Sequence, residues 1–554
     1  MLGLLWWYGW LVGPQLARPY VYDDVNFALG GRAVARTGLP YGNQGYLLHL
    51  FEQREQWAIW HPPLYVYALG LWMRVFGDGE PATRSLGVLC QLLAAGVAFD
   101  IARRVAEQGG GSRTRGLAAG LIAFAILLVN PLAIQAAQIL DIDNTVLTLL
   151  LAAAVWLAIR LPGRWGWRTI IAFGLLFALT LWAKLTTPWI LLAGLVFTRF
   201  FQGLGVRGAL EALAVGVVGC LVFLATWVGV AGATGMPIDY TLTVLSREAE
   251  ESTLSSRARL VSVPAFLHGI APAILWLGPF FCLLFVLAGV PRLWSLVRGR
   301  GLVAGDLLVV LGAAIYLVYF VKLAGALPKY HSAMLPLWAA ACGILVARAA
   351  GRSSPAQLAL SVGGLVALTT WLVAPMADEW TITWTPGVLQ LLVGVPLLAG
   401  IGLAALWSLL GVGNRLGGVA VALLVLTLSW SIALDLGQRD RIGSTTYFYG
   451  RYGQQAAAEV VDRLLRPGEV YVAAKDVAWY SAHDHYVDQD TWQHVVWEQH
   501  GGVFDGTYLG RDIRVLALEF AEPSLRIAYS TALSRAGYES VGEYGNFRVY
   551  VRGE

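Results

Sequence analysis

The sequence predicts a mainly α-helical, polytopic membrane protein of about 13 transmembrane helices with a small C-terminal α/β domain on the extracytoplasmic side. Three observations predict it. Of the 554 residues, 57% are hydrophobic and 13% charged, whereas a soluble domain carries roughly 25% charged residues. Long apolar runs recur from Met1 to about residue 436. After Leu436 the charges return, four of the eight histidines (His483, His485, His494, His500) appear, and helix-like and strand-like patterns alternate. This composition excludes an ordinary cytosolic enzyme and a disordered chain. A net charge of +4 is too small to suggest nucleic acid as a partner.

A transmembrane helix needs about 20 apolar residues. Candidate spans lie near 2–17, 84–102, 117–138, 145–159, 169–183, 186–198, 208–231, 269–290, 306–321, 332–347, 357–376, 387–410 and 418–435. The first is apolar from Met1 without a basic segment or a small-residue cleavage site, so it reads as a retained span. The alternate loops differ in basic content. One set holds Arg103, Arg104, Arg113, Arg115, Arg160, Arg164, Arg168, Arg199, Arg207, Arg292, Arg298, Arg300, Arg348, Arg352 and Arg415. The short loops of the other set hold only Lys184, Arg247, Arg257, Arg259, Lys322 and Lys329. By the positive-inside rule the first set is cytoplasmic. The expected location is the plasma membrane of a bacterium, with the N-terminus cytoplasmic and the C-terminal tail outside.

Two segments bear on this parity. Residues 61–77 form either an interfacial helix on the outer leaflet or a short span, and the arginine asymmetry favours the former. Residues 169–198 form either one helix kinked at Pro188 or two short spans meeting near Lys184. The domain division expected is 1–436, with a first outer loop at 18–83 carrying interfacial helices, and 437–554. In the latter, helices are expected near 453–466 and 523–536, and strands near 469–474, 512–519, 538–543 and 546–552. Cys90, Cys220, Cys282 and Cys342 each lie in an apolar run and read as small core residues.

Charged residues at membrane-helix ends are costly and often functional. Several gather in the outer loops: Asp23 and Asp24 after the first span, Asp141 and Asp143 between two apolar runs, Lys184 in WAKLTTP, Lys329-Tyr330-His331 in LPKYHSAMLP, and His61 and Arg84. Carboxylates can take a proton from a hydroxyl or hold a divalent metal. Lysine, arginine and histidine can stabilise a leaving phosphate. Each also has a purely structural reading: Asp143 as a helix N-cap, Lys184 as a snorkelling cation, His331 as an interfacial histidine satisfied by backbone. What lifts the functional reading is their gathering on one membrane face. The same features leave a polytopic transporter or lipid flippase as the alternative, although no internal repeat is visible.

In order, YDD at 22–24, HPPLY at 61–65, FGDGEPATR at 76–84, LDIDN at 140–144, LWAKLTTP at 181–188 and KYHSAMLPLWA at 329–339 resemble motifs of the GT-C glycosyltransferase superfamily. The branch resembled contains the protein O-mannosyltransferases and the lipid A aminoarabinose transferases. Two departures stand out: Asp24 where relatives usually have Glu, and Leu-Thr-Thr rather than Gly after Lys184. The resemblance implies an inverting transfer of a sugar from a polyprenyl-phosphate donor to an acceptor hydroxyl. Asp23 is then the general base. Asp24 is the second member of the catalytic acidic pair. Asp143, or Asp141, orients the base or the sugar or shares a divalent metal, Mg or Mn, with Asp23 and Asp143 the candidate ligands. Lys184, His61, Arg84, Lys329, Tyr330 and His331 hold the phosphate. The implied partners are the lipid-linked donor, membrane lipids, and an acceptor that is a glycan, a lipid or a protein.

Overall fold

The computed structural model describes residues 2–20, 23–42, 57–59, 61–108, 111–141, 146–237, 239, 276–299, 301–323, 328–350, 415–438, 453–483, 485–493, 496, 501, 503–508, 510–520 and 523–553. The chain divides into two compact units: 1–16 with 84–233 and 241–447, and 17–83 with 234–240 and 448–554.

The first unit is helical. Its described helices are Leu2–Val12, Glu80–Gln108, Arg113–Val129, Pro131–Gln138, Val146–Arg160, Trp167–Ala183, Thr187–Arg199, Gly205–Thr234, Pro279–Val297, Leu307–Leu323, Leu335–Ala350 and Arg415–Gln438. Among the described residues, three segments are long and apolar enough to cross a membrane: Glu80–Gln108, Thr187–Thr234 and Tyr330–Ala349. A fourth is the pair 113–129 and 131–138, bent by 61°. The expected thirteen spans therefore exceed what these helices establish. Several expected spans fall on shorter apolar helices: the 15 residues of 146–160 reach about 23 Å at 1.5 Å per residue, less than the ~30 Å hydrocarbon core. The expected spans at 357–376 and 387–410 lie outside the described residues.

The helix Gly205–Thr234 has its apolar residues outward. Val206, Leu210, Leu213, Val217, Leu221, Leu224 and Val228 are exposed at helical spacing, while Gly208, Ala212, Gly216 and Gly219 face inward. An exposed apolar stripe of this length suits lipid, not water.

Several of the arginines that the sequence assigned to one set of loops are paired. Asp100 accepts hydrogen bonds from Arg103, Arg104 and the Trp156 indole, with Arg160 at 3.6 Å. Glu211 binds buried Arg199 and accepts the Trp165 N–H at 3.0 Å; Arg199 also stacks 3.6 Å from the Trp165 ring. The segments on either side of 161–166 and 200–204 are thus tied through one carboxylate.

The chain does break at Lys184. Helix 167–183 ends there, Lys184 is extended at φ −157° and ψ 136°, and helix 187–199 begins with Pro188 in its first turn. Two helices meeting near Lys184 is the observed arrangement.

The second unit joins residues 17–83 and 234–240 to the C-terminal segment. Its strands are β1 Tyr471–Ala473, β2 Tyr486–Asp488, β3 Thr507–Tyr508, β4 Arg511–Asp512, β5 Val515–Glu519, β6 Tyr538–Tyr544 and β7 Phe547–Arg552. β3 and β4 form a two-stranded pair, and the remaining five make one sheet in the order β2-β1-β5-β7-β6. β2, β1 and β5 run parallel; β7 is antiparallel to both β5 and β6. Its core includes Val472, Trp492, Ile513, Leu516, Leu518 and Leu533. Helices Gln454–Leu464 and Pro523–Arg535 contact the sheet. The elements expected near 453–466, 469–474, 512–519, 523–536, 538–543 and 546–552 have counterparts here.

Helices Asp23–Thr37 and Leu64–Phe76 belong to this unit and lie against each other. They approach through glycine: a Cβ on Gly70 would sit 2.5 Å from the Val34 side chain and 2.8 Å from the Gly31 carbonyl. The 13-residue helix 64–76 is about 20 Å long, too short for a span. It leaves Leu71, Val75 and Phe76 exposed.

Candidate active site

The sequence-predicted site residues fall in both units, and each unit's share is described separately.

In the second unit, Asp23 and Asp24 open helix 23–37. Carboxylates in a first helical turn face the positive end of the helix dipole. Asp24 is buried; the side chain of Asp23 is outside the description. The chain entering this helix is held firmly. Tyr20 is fully buried. Its N–H donates to the Tyr480 hydroxyl at 2.7 Å, its carbonyl accepts from Gln454 Nε2 at 3.0 Å, and its hydroxyl bonds the Thr83 hydroxyl. Further along the helix, Arg32 lies 3.3 Å over the Trp479 ring. It donates to the Trp479 carbonyl at 3.2 Å and pairs with Asp78 at 2.9 Å. His61 is half-buried just before the Pro62-Pro63 pair that leads into helix 64–76. Tyr65 packs edge-on against Phe27, centroids 5.3 Å apart.

In the first unit, Lys184 is buried, 5% exposed. Its backbone N–H closes helix 167–183 on Thr180, and its Nζ lies 5.2 Å from the Tyr330 ring centroid. A cation over an aromatic face gains from the ring quadrupole. The 3₁₀ segment Pro328–Met334 carries Tyr330 and His331. His331 is buried, its ring 5.4 Å from Tyr316, and its Nδ1 has no protein hydrogen-bond partner. Lys329 belongs to the same segment; its side chain is outside the description. Asp141 is buried, and Asp143 lies outside the described residues. The structure therefore brings Lys184, Tyr330 and His331 into one neighbourhood.

Arg84 has a different setting. It is 4% exposed, its Nε donates to the Gln138 carbonyl at 2.9 Å and its Nη1 to the Leu16 carbonyl at 3.0 Å. These are the last carbonyls of helix 131–138 and of the turn after helix 2–12, where backbone acceptors lack helical partners. At least two of its five donors fix backbone.

Some polar residues were missed by sequence reasoning. Asn130 is fully buried; its Oδ1 caps helix 131–138 through Ala133 N at 3.2 Å, and its Nδ2 donates to the Leu277 carbonyl at 2.9 Å. Gln135 in the same short helix is fully buried with neither amide atom paired to protein. So is Asp435 in helix 415–438. The Asn130-Pro131 pair inside an apolar run was the available signal, since it marks a helix break. Among the described residues no group of three His, Cys, Asp or Glu converges as a metal site would. Of the expected ligand pair, the side chain of Asp23 and the whole of Asp143 lie outside the described residues.

Residues 60–230 match the family model for dolichyl-phosphate-mannose-protein mannosyltransferase. That range holds His61, Arg84, Asp141, Asp143 and Lys184, and excludes Asp23 and Lys329-Tyr330-His331. No curated protein matches the chain in sequence. Among solved structures, the chain is similar to ArnT from Cupriavidus metallidurans bound to undecaprenyl phosphate, with 17% identity, 100% of this chain and 99% of that chain covered, and a TM-score of 0.60. The apo state of the same protein gives 18% identity, 100% coverage of both chains and a TM-score of 0.58. At this identity the likeness is one of fold. It extends over the whole chain.

Proposed function

We propose that this chain is an integral-membrane, inverting glycosyltransferase that moves a sugar from a polyprenyl-phosphate donor to an acceptor hydroxyl on the outer membrane face. The observation that carries the reading is the end-to-end fold likeness to a protein that binds undecaprenyl phosphate. The mannosyltransferase family match over 60–230 supports it, as does the buried Lys184 beside Tyr330.

In this reading Asp23 takes the proton from the acceptor hydroxyl as oxygen attacks the anomeric carbon, and the C–O bond to phosphate breaks on the opposite face. Asp24, with Asp141 and Asp143, orients the base and the sugar hydroxyls. Lys184, with Lys329, Tyr330, His331 and His61, receives the lipid phosphate. A buried ammonium suits this step, because negative charge concentrates on the phosphate oxygens as the bond breaks and the interaction strengthens toward the transition state. Arg84 contributes by fixing the helix ends around it. A divalent metal is a candidate partner only of Asp23 and Asp143. The catalytic face and residues 437–554 lie outside the cytoplasm, and the acceptor is a glycan, a lipid or a protein.

The test is purified full-length chain in nanodiscs with a panel of undecaprenyl-phosphate sugars. Asp23→Asn should abolish transfer while leaving thermal stability and undecaprenyl-phosphate binding intact, and Lys184→Met should weaken phosphate binding at least tenfold. Full activity of Asp23→Asn would remove the base assignment. Saturable movement of lipid across vesicles without sugar transfer would replace the reading by a flippase.

A further inference from the structure

The C-terminal segment grips the chain on both sides of Asp23. Ahead of it, Tyr20 is held through its N–H by Tyr480 and through its carbonyl by Gln454. Beyond it, Arg32 is held by the face and the carbonyl of Trp479. Trp479 itself is buried and packs edge-on against Tyr20, centroids 5.0 Å apart. One aromatic ring therefore sits between the two gripped residues. Asp23 follows Tyr20 by three residues, at most about 10 Å of chain. Arg32 follows Asp23 by two and a half helical turns, roughly 13 Å. With both ends tied to the same Trp479-Tyr480 pair, the backbone of Asp23 has little freedom to shift.

The grip is also anchored behind. Trp479 and Tyr480 end the short helix Lys475–Tyr480, which leads out of β1, a strand with hydrogen-bonded neighbours on both sides. At the start of that helix Lys475 pairs with Asp488 at the end of β2, 3.5 Å away. Residue 454 begins a helix that packs on β5, β6 and β7. The sheet is thus the rigid body against which the acid-bearing helix is registered.

We propose that Gln454, Trp479 and Tyr480 are positioning residues for the Asp23-Asp24 pair, which makes the C-terminal sheet a working part of the catalytic centre. This rests on Asp23 being the base. Misplacing a catalytic group by about 1 Å can cost roughly a hundredfold in rate, so loosening the grip should lower turnover and leave donor affinity unchanged.

Tyr480→Phe removes only the hydroxyl that receives the Tyr20 N–H, and Gln454→Leu removes only the donor to its carbonyl. Both are mild enough to fold. In full-length chain in nanodiscs, amide hydrogen exchange over 17–27 should rise at least tenfold in each variant, while exchange in β5 stays unchanged. With an undecaprenyl-phosphate sugar as donor, kcat should fall about 10- to 100-fold at constant KM. In an Asp23→Asn background, Tyr480→Phe should take nothing further from the residual rate. Unchanged exchange over 17–27 in both variants would overturn the proposal. So would a loss confined to KM, or a loss that multiplies with that of Asp23→Asn. Full activity of Asp23→Asn alone would instead remove the base assignment and leave the exchange result standing.

Discussion

Replacing Arg84 by methionine separates a structural from a phosphate-binding arginine. The side chain is 4% exposed, and two of its N–H groups satisfy the Gln138 and Leu16 carbonyls at 2.9 and 3.0 Å. Methionine fills much of the volume but donates nothing, so two buried acceptors lose partners. Each unsatisfied buried group costs about 1–3 kcal/mol, which gives roughly 2–6 kcal/mol for the pair. Reversible unfolding in mixed micelles, read by the exposure of a label on Cys90 in the same helix, would measure it. The expected result is a loss within that range, and lipid-phosphate affinity within about threefold of wild type in the fraction that remains folded. Arg84→Lys should recover at most half, because one ammonium cannot reproduce the two-pronged geometry. Unchanged stability with a tenfold or greater loss of undecaprenyl-phosphate binding would refute the reasoning and return Arg84 to the phosphate site.

Three further outcomes follow from the geometry. Glu211→Ala leaves buried Arg199 without its carboxylate and should cost about 3–5 kcal/mol, whereas Arg199→Met with Glu211→Met should cost far less, read by the same unfolding assay. Gly70→Val forces a side chain against Val34 and the Gly31 carbonyl and should cost about 1–3 kcal/mol or more, seen as faster amide exchange in 23–37. Burial pushes the Asp488 carboxyl from 3.8 up to about 6, against the pull of Lys475 and with help from Asp490. The folded state then binds this proton more tightly than the unfolded state. Stability from this group is highest below about pH 4, falls as pH rises to 6, and differs by at most roughly 3 kcal/mol between the two plateaus. Asp488→Asn should flatten that dependence, measured as exchange in β1 and β2 between pH 4 and 7. A slope unchanged in the variant would refute it.

Much of the helical unit was legible as recurring apolar runs, although only three or four of the described segments are long enough to cross a membrane. The break at Lys184 was visible from a lysine and a proline inside one apolar stretch. The helix end at Val129 was less so, because Asn130 is a single polar residue whose role as a cap and as a partner for Leu277 depends on a segment distant in sequence. In the sheet, β5 and the β6–β7 hairpin were visible as alternating or buried runs. β2 was missed, since three residues between His485 and a run of polar residues carry no periodicity. Of the candidate site, the neighbourhood of Lys184, Tyr330 and His331 was legible as residue types in order. What Arg84 holds was not, because a guanidinium on a carbonyl and one awaiting phosphate have the same sequence signature. Nor was the grip on Tyr20, which joins residues with no local pattern in common.

The residues that meet at Tyr20 and Tyr480 are 460 positions apart in the chain. At a synthesis rate of roughly 5–20 residues per second, the second arrives about 20–90 s after the first. Throughout that interval the segment around Tyr20 has left the ribosome without the ring and the hydroxyl that hold it. The acid-bearing helix can reach its final register only when the last hundred or so residues have emerged and folded. On the proposed function, the base is therefore assembled last, and a chain truncated before Tyr480 should still make its helical part and yet transfer no sugar.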